Sequence, residues 1–326
     1  MRQILKTSFT EMLGIEHPVL VAPMFLISNS EMVIAALEAG ATAAIPALNY
    51  RTDDAMIAAI SEIRQKSSKP FGFNLIVNKS NPHFKKQLET LCRMKVDFII
   101  TSLGSPEEVI KRCKPLGIKV FCDVVNLEYA KKVEALGADA LIAVNSSAGG
   151  HCGPLPSDEL IPLLVRNCNI PVISAGGVGK GIHIKQALDL GASGVSVGTL
   201  FIASDEAPVS AEYKQALIDF NAQDVVLTSR LSGTPLTVIN TPYVRQIGTK
   251  PGFLEVLMKK YPFFKKQLKL LIAFRGMKRI EKSAFKATYK TVWCAGPSIG
   301  FITNIRPLKE IIQTLMEELK ETLDWQ

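Results

Sequence analysis

The sequence lacks any long hydrophobic stretch. No run of about 18 apolar residues without charges occurs in the 326-residue chain, so no transmembrane helix is expected. The N-terminal residues 1–7 also lack the apolar core of a signal peptide. Together these absences predict a cytoplasmic protein without stable membrane insertion.

Cysteine and histidine are also scarce. The six cysteines include no Cys-x-x-Cys pair, and the four histidines are not spaced for a zinc site. We therefore expect reduced thiols and no metal. A Walker-type phosphate loop, Gly-x4-Gly-Lys-Ser/Thr, is absent as well.

Acidic residues are almost missing from one window. Residues 250–290 hold twelve Lys or Arg against two Glu, whereas the whole chain carries a net charge of only +8. The favoured interpretation is a helical cover with a solvated basic face. The alternative is a docking surface for an anionic partner, which would be a nucleotide phosphate, an acidic carrier protein or a membrane surface. No motif for reading nucleic acid is present.

Eight short apolar runs recur along the first two hundred residues, and a helix-like stretch follows each of them. The runs are nearly continuous rather than alternating, as expected for parallel strands buried on both faces. They cover residues 19–24, 42–47, 71–76, 97–102, 119–124, 140–145, 171–176 and 194–199. Glycine, a helix C-cap signal, follows four of the helical segments, at Gly40, Gly117, Gly137 and Gly191. Eight such units predict a closed (β/α)8 TIM barrel, with a doubly wound open sheet as the alternative.

The pattern changes after the eighth run. Residues 204–290 are interpreted as a mainly helical cap or substrate domain, inserted into a barrel formed by 1–203 and 291–326. Small residues after position 291 predict a close approach to the barrel or its ligand. A final helix is expected over 307–323.

A glycine pair and a histidine follow the sixth predicted strand, in the run Ala148-Gly149-Gly150-His151. Glycines without side chains let the backbone approach a flat ligand closely. Histidine titrates near neutral pH and suits proton transfer. We interpret His151 as a base held over a planar cofactor, with an ordinary turn and a surface histidine as the alternative. Cys152, next in sequence, is interpreted as a small side chain rather than a nucleophile.

Glycines also follow the seventh and eighth predicted strands. In many TIM barrels the loops at these two places form a phosphate site, in which backbone N–H groups hold the anion. Gly177, Gly198 and Thr199 are the strongest candidates, and turn glycines without a ligand are the alternative.

A planar cofactor that carries a phosphate suggests FMN. Ala22, Pro23 and Met24 end the first strand with small, rigid and polarisable side chains suited to lie against a flavin ring. Asn74, near the end of the third strand, would hydrogen-bond the polar edge of that ring. A turn proline, a core methionine and a strand-end asparagine are the alternatives.

These motifs, in this order, resemble the nitronate monooxygenase family of FMN-dependent barrels, formerly called 2-nitropropane dioxygenases. Flavin-type enoyl-acyl-carrier-protein reductases and NADH:quinone reductases are close relatives of that family. The resemblance covers nearly the whole chain. It is carried by Ala22-Pro23-Met24, Phe73-Asn74-Leu75, Ala148-Gly149-Gly150-His151, Ala175-Gly176-Gly177, Gly198-Thr199-Leu200-Phe201 and Cys294-Ala295-Gly296-Pro297-Ser298.

The resemblance implies non-covalent FMN, and it implies that His151 is the catalytic base or a residue that orients the substrate. It implies oxidation of an alkyl nitronate by O2 to a carbonyl compound and nitrite. The implied cofactor contacts are Ala22, Pro23, Met24, Asn74, Ala148, Gly149, Gly150, Ala175, Gly176, Gly177, Gly198, Thr199, Leu200 and Phe201.

Two departures from the family pattern concern the substrate. Ser147 stands where relatives often carry Glu, and Pro297 replaces a family glutamine beside Ser298. Ser147 and Ser298 are expected near the substrate. An NAD(P)H-dependent flavin reductase acting on an enoyl thioester or a quinone therefore remains the alternative, with an acidic carrier protein as partner. A non-catalytic binding protein is a third alternative, and a homodimer is compatible with the sequence.

Overall fold

The structure, a computed structural model, describes residues 5–78, 81–229, 235–249 and 291–323. Apolar runs that are buried on both faces form most of its strands. In chain order the strands are β1 (Val19–Val21), β2 (Thr42–Pro46), β3 (Gly72–Ile76), β4 (Phe98–Ser102), β5 (Lys119–Val124), β6 (Ala140–Val144), β7 (Gly150–His151), β8 (Val172–Ala175), β9 (Gly194–Val197), β10 (Val225–Thr228) and β11 (Leu236–Ile239).

Eight of these strands close into a parallel barrel, in the order β1-β2-β3-β4-β5-β6-β8-β9. Closure is made by β9 pairing with β1, where Val195 lies opposite Val19. An open sheet has no such pair, so the predicted TIM barrel is confirmed and the doubly wound alternative is excluded. Each of the eight predicted apolar runs contains one barrel strand.

Helices surround the barrel, and most follow a strand. They are α1 (Ser8–Leu13), α2 (Ser30–Glu38), α3 (Asp53–Lys66), α4 (Phe84–Arg93), α5 (Glu107–Cys113), α6 (Leu127–Ala135), α7 (Ser157–Val165), α8 (Gly181–Asp189), α9 (Thr199–Ile202), α10 (Ala211–Asp219), α11 (Pro242–Ile247) and α12 (Leu308–Leu323). The predicted cap glycines all have positive φ: 85° at Gly40, 74° at Gly117, 98° at Gly137 and 96° at Gly191. That conformation favours glycine and turns the chain from each helix into the next strand.

The core has two parts, one inside the barrel and one between the strands and the helices. Aromatic rings fill the lower half of the barrel. Phe98 and Phe121 stack with ring centroids 4.9 Å apart, and Phe9 of α1 meets Phe121 edge-on at 6.2 Å. Because α1 inserts Phe9 from below, the N-terminal end of the barrel is closed.

Two strands that the sequence analysis did not predict lie in the segment after the barrel. Strand β11 pairs antiparallel with β10 and with β7, which places Leu236 opposite His151. The described part of the segment thus contains strands beside the helices α10 and α11. The basic window at 250–290 lies outside the described residues, so the mainly helical domain at 204–290 stays a prediction.

The C-terminal segment returns to the barrel. Trp293 stacks on Tyr213 of α10 with centroids 5.2 Å apart, and α12 packs against α8 and α2. At Gly181 of α8, an added Cβ would lie 2.2 Å from the Leu319 amide nitrogen, so the two helices touch through backbone. The six cysteines are free thiols, as their scattered spacing predicts. No helix in the described ranges is long and apolar enough to cross a membrane.

Candidate active site

The upper rim of the barrel is formed by the inward-facing residues at the C-terminal ends of its strands. Side chains alternate along a strand, so the face that carries the inner core continues two residues further on. The residues in that position include Ala22, Asn74, Ser102, Asp123 and Gly198. All five are half-buried, whereas the strand residues below them are buried. The C-terminal end is therefore more open to solvent than the interior of the barrel, and we call it the mouth.

The loop after β6 is held by one buried asparagine. The Asn145 carbonyl accepts from the amides of Ala148 and Gly153, each at 3.3 Å. Its side-chain oxygen accepts the Ser147 amide at 2.8 Å, and its Nδ2 donates to the Gly176 carbonyl at 3.1 Å. A single side chain thus ties the Gly-Gly-His loop to the loop after β8.

Three glycines at the mouth are required by protein packing alone. An added Cβ at Gly176 (φ 115°) would lie 2.4 Å from Asn145 Oδ1. At Gly149 it would lie 2.8 Å from Thr199 Oγ1, and at Gly296 it would lie 2.7 Å from the Ser147 carbonyl. The Gly296 amide donates to Thr199 Oγ1 at 2.9 Å. The segments around Gly149, Thr199 and Gly296 therefore meet through backbone, and the late small residues approach the barrel.

At two other glycines an added Cβ would meet side-chain atoms rather than backbone. The nearest would be Met24 Sδ at 3.6 Å for Gly198, and Ser147 Cβ at 3.3 Å for Gly177. Within the described ranges the amides of Gly177 and Gly198 find no acceptor. Backbone donors without a protein acceptor are what an anionic ligand needs.

The loop that leads into α8 offers fewer free backbone N–H donors than the sequence indicates. The amides of Gly179 and Lys180 both donate to Nδ1 of His183, at 3.2 and 3.0 Å. Burial, with the charge of Lys180 nearby, lowers the pKa of His183 and keeps this acceptor nitrogen unprotonated. The loop's free donors are therefore at its start, near Gly177.

The end of β1 is braced by two polar residues that the sequence analysis did not identify. Ser28 Oγ accepts the Met24 amide at 2.8 Å and donates to the Ala22 carbonyl at 3.3 Å. Asn49 accepts the amide of Leu26, whose φ of 62° is in the left-handed region, and donates to the Ser28 carbonyl. These bonds hold Met24 against Gly198.

His151 lies at the edge of the mouth, in β7. Pairing with β11 positions its backbone, and Thr237 of β11 donates to the Ala148 carbonyl at 2.6 Å and contacts the Gly150 carbonyl at 3.1 Å. The imidazole is exposed. The neighbouring Cys152 is half-buried, and burial raises the pKa of its thiol, which agrees with its interpretation as a small side chain.

Both serines expected near the substrate lie beside this loop. Ser147 faces Gly177, and Ser298 is buried in the 3-10 turn Pro297–Phe301 that follows Gly296. The carbonyl of Cys294 in the same segment accepts the hydroxyl of Tyr213 at 2.6 Å. Ser298 is thus part of the packed wall, and Ser147 is on its open side.

A chain of three polar side chains crosses the mouth, and only Asn74 in it was a predicted site residue. Asn74 Nδ2 donates to Ser102 Oγ at 2.6 Å, and Ser102 Oγ donates to Asp123 Oδ2 at 2.5 Å. Burial raises the pKa of the Asp123 carboxyl to about 6, although the bond from Ser102 opposes that rise. The inward alternation of β4 and β5 was the sequence signal that would have identified Ser102 and Asp123.

A closed (β/α)8 barrel with polar and glycine-rich strand ends is the architecture of a TIM-barrel enzyme. The family model described as nitronate monooxygenase matches residues 6–318. The chain belongs to the nitronate monooxygenase family, whose members are flavoproteins, and it is an oxidoreductase. That excludes a non-catalytic binding protein.

Individual relatives agree with this assignment. The structure of FabK from Thermotoga maritima superposes with a TM-score of 0.85 at 31% identity, covering 98% of both chains. A 5-hydroxy-7a-methyl-1-oxo-octahydro-1H-indene-4-carboxyl-CoA dehydrogenase from Rhodococcus jostii is 31% identical over 74% of this chain and 68% of its own length. A nitronate monooxygenase from Paraburkholderia phytofirmans is 27% identical over 98% of this chain and 96% of its own.

Proposed function

We propose that this protein is an FMN-dependent nitronate monooxygenase, which oxidises an alkyl nitronate with O2 to a carbonyl compound and nitrite. The observation that carries the proposal is the pair of unused amides at Gly177 and Gly198, the latter beside Met24 and Ala22, in a chain whose family match runs from residue 6 to 318. The anionic end of a flat ligand would bind these amides, and its ring would lie against Met24.

Different residues of the mouth would contact different parts of the cofactor. The amides of Gly177, Gly198 and Thr199 would hold the phosphate of FMN. Met24, held by Ser28 and Asn49, would lie against the ring, and Asn74 would contact its polar edge. When bound, the flavin accepts electrons from the substrate and passes them to oxygen.

His151 would hold or remove the proton on the substrate carbon. Nitronates are the deprotonated forms of nitroalkanes, so a base is needed only when the neutral nitroalkane is bound. The β7–β11 pairing and the bond from Thr237 to the Ala148 carbonyl position the backbone that carries the imidazole. No acidic side chain replaces the family Glu at Ser147, so His151 is our only candidate base in this loop.

The test is an anaerobic stopped-flow spectrum of the purified chain with its flavin, mixed with a short alkyl nitronate. Bleaching of the flavin by the nitronate alone, followed by O2 uptake and nitrite release in air, is the expected result. A fully flavin-loaded protein that no short nitronate reduces would overturn the proposal.

A second candidate is NAD(P)H-dependent reduction of an enoyl thioester, or of a quinone. It is favoured by two relatives at 31% identity, from Rhodococcus jostii and Mycobacterium tuberculosis, whose names describe the dehydrogenation of an indene-carboxyl-CoA, which is a thioester. The positive charge at 250–290 would complement an anionic thioester carrier. In the same apparatus, rapid bleaching by NADH or NADPH but not by nitronate would assign the protein to this branch.

Three further expectations stay predictions. They are a cytoplasmic location, assembly as a homodimer, and an acidic carrier protein as partner if the second candidate is correct. Sedimentation of the purified protein measures the second directly.

A further inference from the structure

The polar chain Asn74–Ser102–Asp123, which we call the mouth triad, rests on an apolar floor. Phe121 lies two residues below Asp123 on β5, and its ring stacks on that of Phe98. An added Cβ on Gly72, two residues below Asn74, would lie 2.3 Å from the Phe98 ring. The triad therefore has hydrocarbon beneath it and the open mouth above it.

Hydrogen-bond chemistry determines the direction of every bond in the triad. An ionised carboxylate can only accept hydrogen bonds, so the single O–H group of Ser102 must donate its hydrogen bond to Asp123. The Ser102 oxygen then accepts, and the Asn74 amide nitrogen is the donor that reaches it. The same nitrogen donates its second N–H to the Ile100 carbonyl at 3.3 Å.

The amide of Asn74 is thereby turned with Nδ2 toward β4 and with Oδ1 away from it. Asn74 is half-buried, and within the described part of the chain its Oδ1 receives no hydrogen bond. The side chain thus presents a lone acceptor to the mouth. In an oxidised flavin ring the only ring N–H is at N3, which is the donor such an acceptor would bind.

We propose that Asp123, acting through Ser102, is a positioning residue that holds the Asn74 amide with its oxygen toward the N3–H edge of the flavin. The inference rests on the proposed function, because it requires a flavin in the mouth. Asp123 itself touches neither flavin nor substrate in this proposal. Without it, Ser102 is free to donate its proton to Asn74 Oδ1, and the amide would turn its NH2 toward the flavin N–H.

Release of flavin from the full-length holoprotein tests the proposal. The purified protein is diluted at pH 8, where Asp123 is ionised, and the fluorescence of released FMN gives the dissociation constant. We expect Asp123→Ala and Ser102→Ala to weaken FMN binding about tenfold, the worth of one hydrogen bond turned into a clash. Asp123→Asn, whose amide oxygen still accepts from Ser102, should restore binding to within about twofold.

Coupling to Asn74 separates positioning from general loosening of the barrel. If Asp123 acts only through that amide, Asp123→Ala should add nothing to the effect of Asn74→Ala, so the two changes are strongly non-additive. Asp139→Ala is the matched control, since Asp139 is a strand-end aspartate at the opposite end of the barrel, where it accepts the Val120 amide at 2.8 Å.

The outcomes are distinguishable. A wild-type protein that retains no FMN would overturn the proposed function and this inference with it. A wild-type protein that retains FMN while Asp123→Ala releases it no faster, or releases it additively with Asn74→Ala, would overturn the inference alone. The same holds if Asp139→Ala weakens binding as much as Asp123→Ala.

Discussion

The two ends of the barrel use the same residue types differently. At the N-terminal end, Asp97 accepts from Arg64 at 2.6 Å and from the Phe71 amide at 2.9 Å. At the mouth, Asp123 accepts only from Ser102 among the described residues, and burial raises the pKa of its carboxyl to about 6. Among the described residues, the Asp97 carboxylate therefore accepts two hydrogen bonds and the Asp123 carboxylate accepts one.

Glycines show the same contrast along one strand. Gly194 begins β9 against α1, where an added Cβ would lie 2.7 Å from Phe9 Cδ1. Gly198 follows the end of the same strand, where the nearest atom would be 3.6 Å away. The lower glycine is required by packing, whereas a methyl group at the upper one would make only ordinary contacts. In TIM barrels the site lies at the C-terminal end of the strands, which is the end where Gly198 lies.

The largest effect should come from removing the proposed base at the mouth. His151→Ala is expected to lower turnover of a neutral nitroalkane about 10²–10⁴-fold, the usual contribution of a positioned base. A preformed nitronate needs no deprotonation, so its turnover should fall much less. Steady-state O2 uptake with both substrate forms measures the difference.

The matched control is His17→Ala, because His17 precedes β1 at the closed end. That variant should keep full activity. Equal losses on the nitroalkane and the nitronate would remove His151 from the role of base.

Alanine at each end of β9 should separate binding from stability. Gly198→Ala places a methyl group in ordinary contact with Met24, where the flavin would lie, so FMN affinity should fall about tenfold while the melting temperature of the flavin-free protein hardly changes. Gly194→Ala forces its methyl group against Phe9 and should cost about 1–3 kcal/mol of stability with FMN affinity unchanged. FMN titration and thermal unfolding measure the FMN affinity and the melting temperature of each variant. If both variants lose affinity and stability to the same extent, the contrast between the two ends is wrong.

The Asp123 carboxyl should make the stability of the fold depend on pH. The Asp123 carboxyl has a pKa of about 6 in the folded chain against an ordinary value of 3.8, so the folded state holds this proton more tightly. Its contribution to stability is complete below pH 3.8 and is lost as the pH rises through 6.

Asp123→Asn should therefore raise the free energy of unfolding by about 1–3 kcal/mol at pH 8 and leave it unchanged near pH 3.5. Asp97→Asn, which breaks the half-exposed pair with Arg64, should instead lower it by at most about 1 kcal/mol at pH 8. Urea unfolding at the two pH values, with both proteins in the same flavin state, measures each. A loss of stability in Asp123→Asn at pH 8 would contradict the contrast.

The smallest effect should come from the strap between β11 and the mouth, by which we mean the hydrogen bond from Thr237 to the Ala148 carbonyl. Thr237→Val removes the hydroxyl that donates to the Ala148 carbonyl and leaves the shape of the side chain similar. We expect a loss of about 1 kcal/mol in stability, and a modest fall in kcat without a change in FMN affinity. Chemical unfolding and kinetics at saturating substrate test this; reduced FMN affinity would show that the strap supports the cofactor rather than His151.

Much of the barrel was predictable because its signals are local. Continuous apolar runs identified all eight strands, and Gly40, Gly117, Gly137 and Gly191 marked helix ends that do have positive φ. Strands β10 and β11 were missed. Strand β10 pairs only with β11, and β11 pairs with β7, which lies more than eighty positions earlier in the chain, so no short-range periodicity reports that contact.

The candidate site was predictable only in outline. Asn74, Gly177 and Gly198 followed from motifs at strand ends, and the structure brings them to one mouth. Ser102 and Asp123 belong to no motif, and they matter because β3, β4 and β5 lie side by side. The value of each polar group depends on a partner from another strand.

By itself, the sequence determined the repeating units, because burial on both faces of a parallel strand and the end of a helix at glycine are properties of a few neighbouring residues. Only the tertiary structure decided which glycines are required by packing and which are not, since their neighbours come from distant segments. Gly296 donates to Thr199, 97 residues away, and Thr237 donates to Ala148, 89 residues away. Closing the barrel brings these groups together, and the same closure leaves Asp123 on an apolar floor with a single hydrogen-bond partner among the described residues.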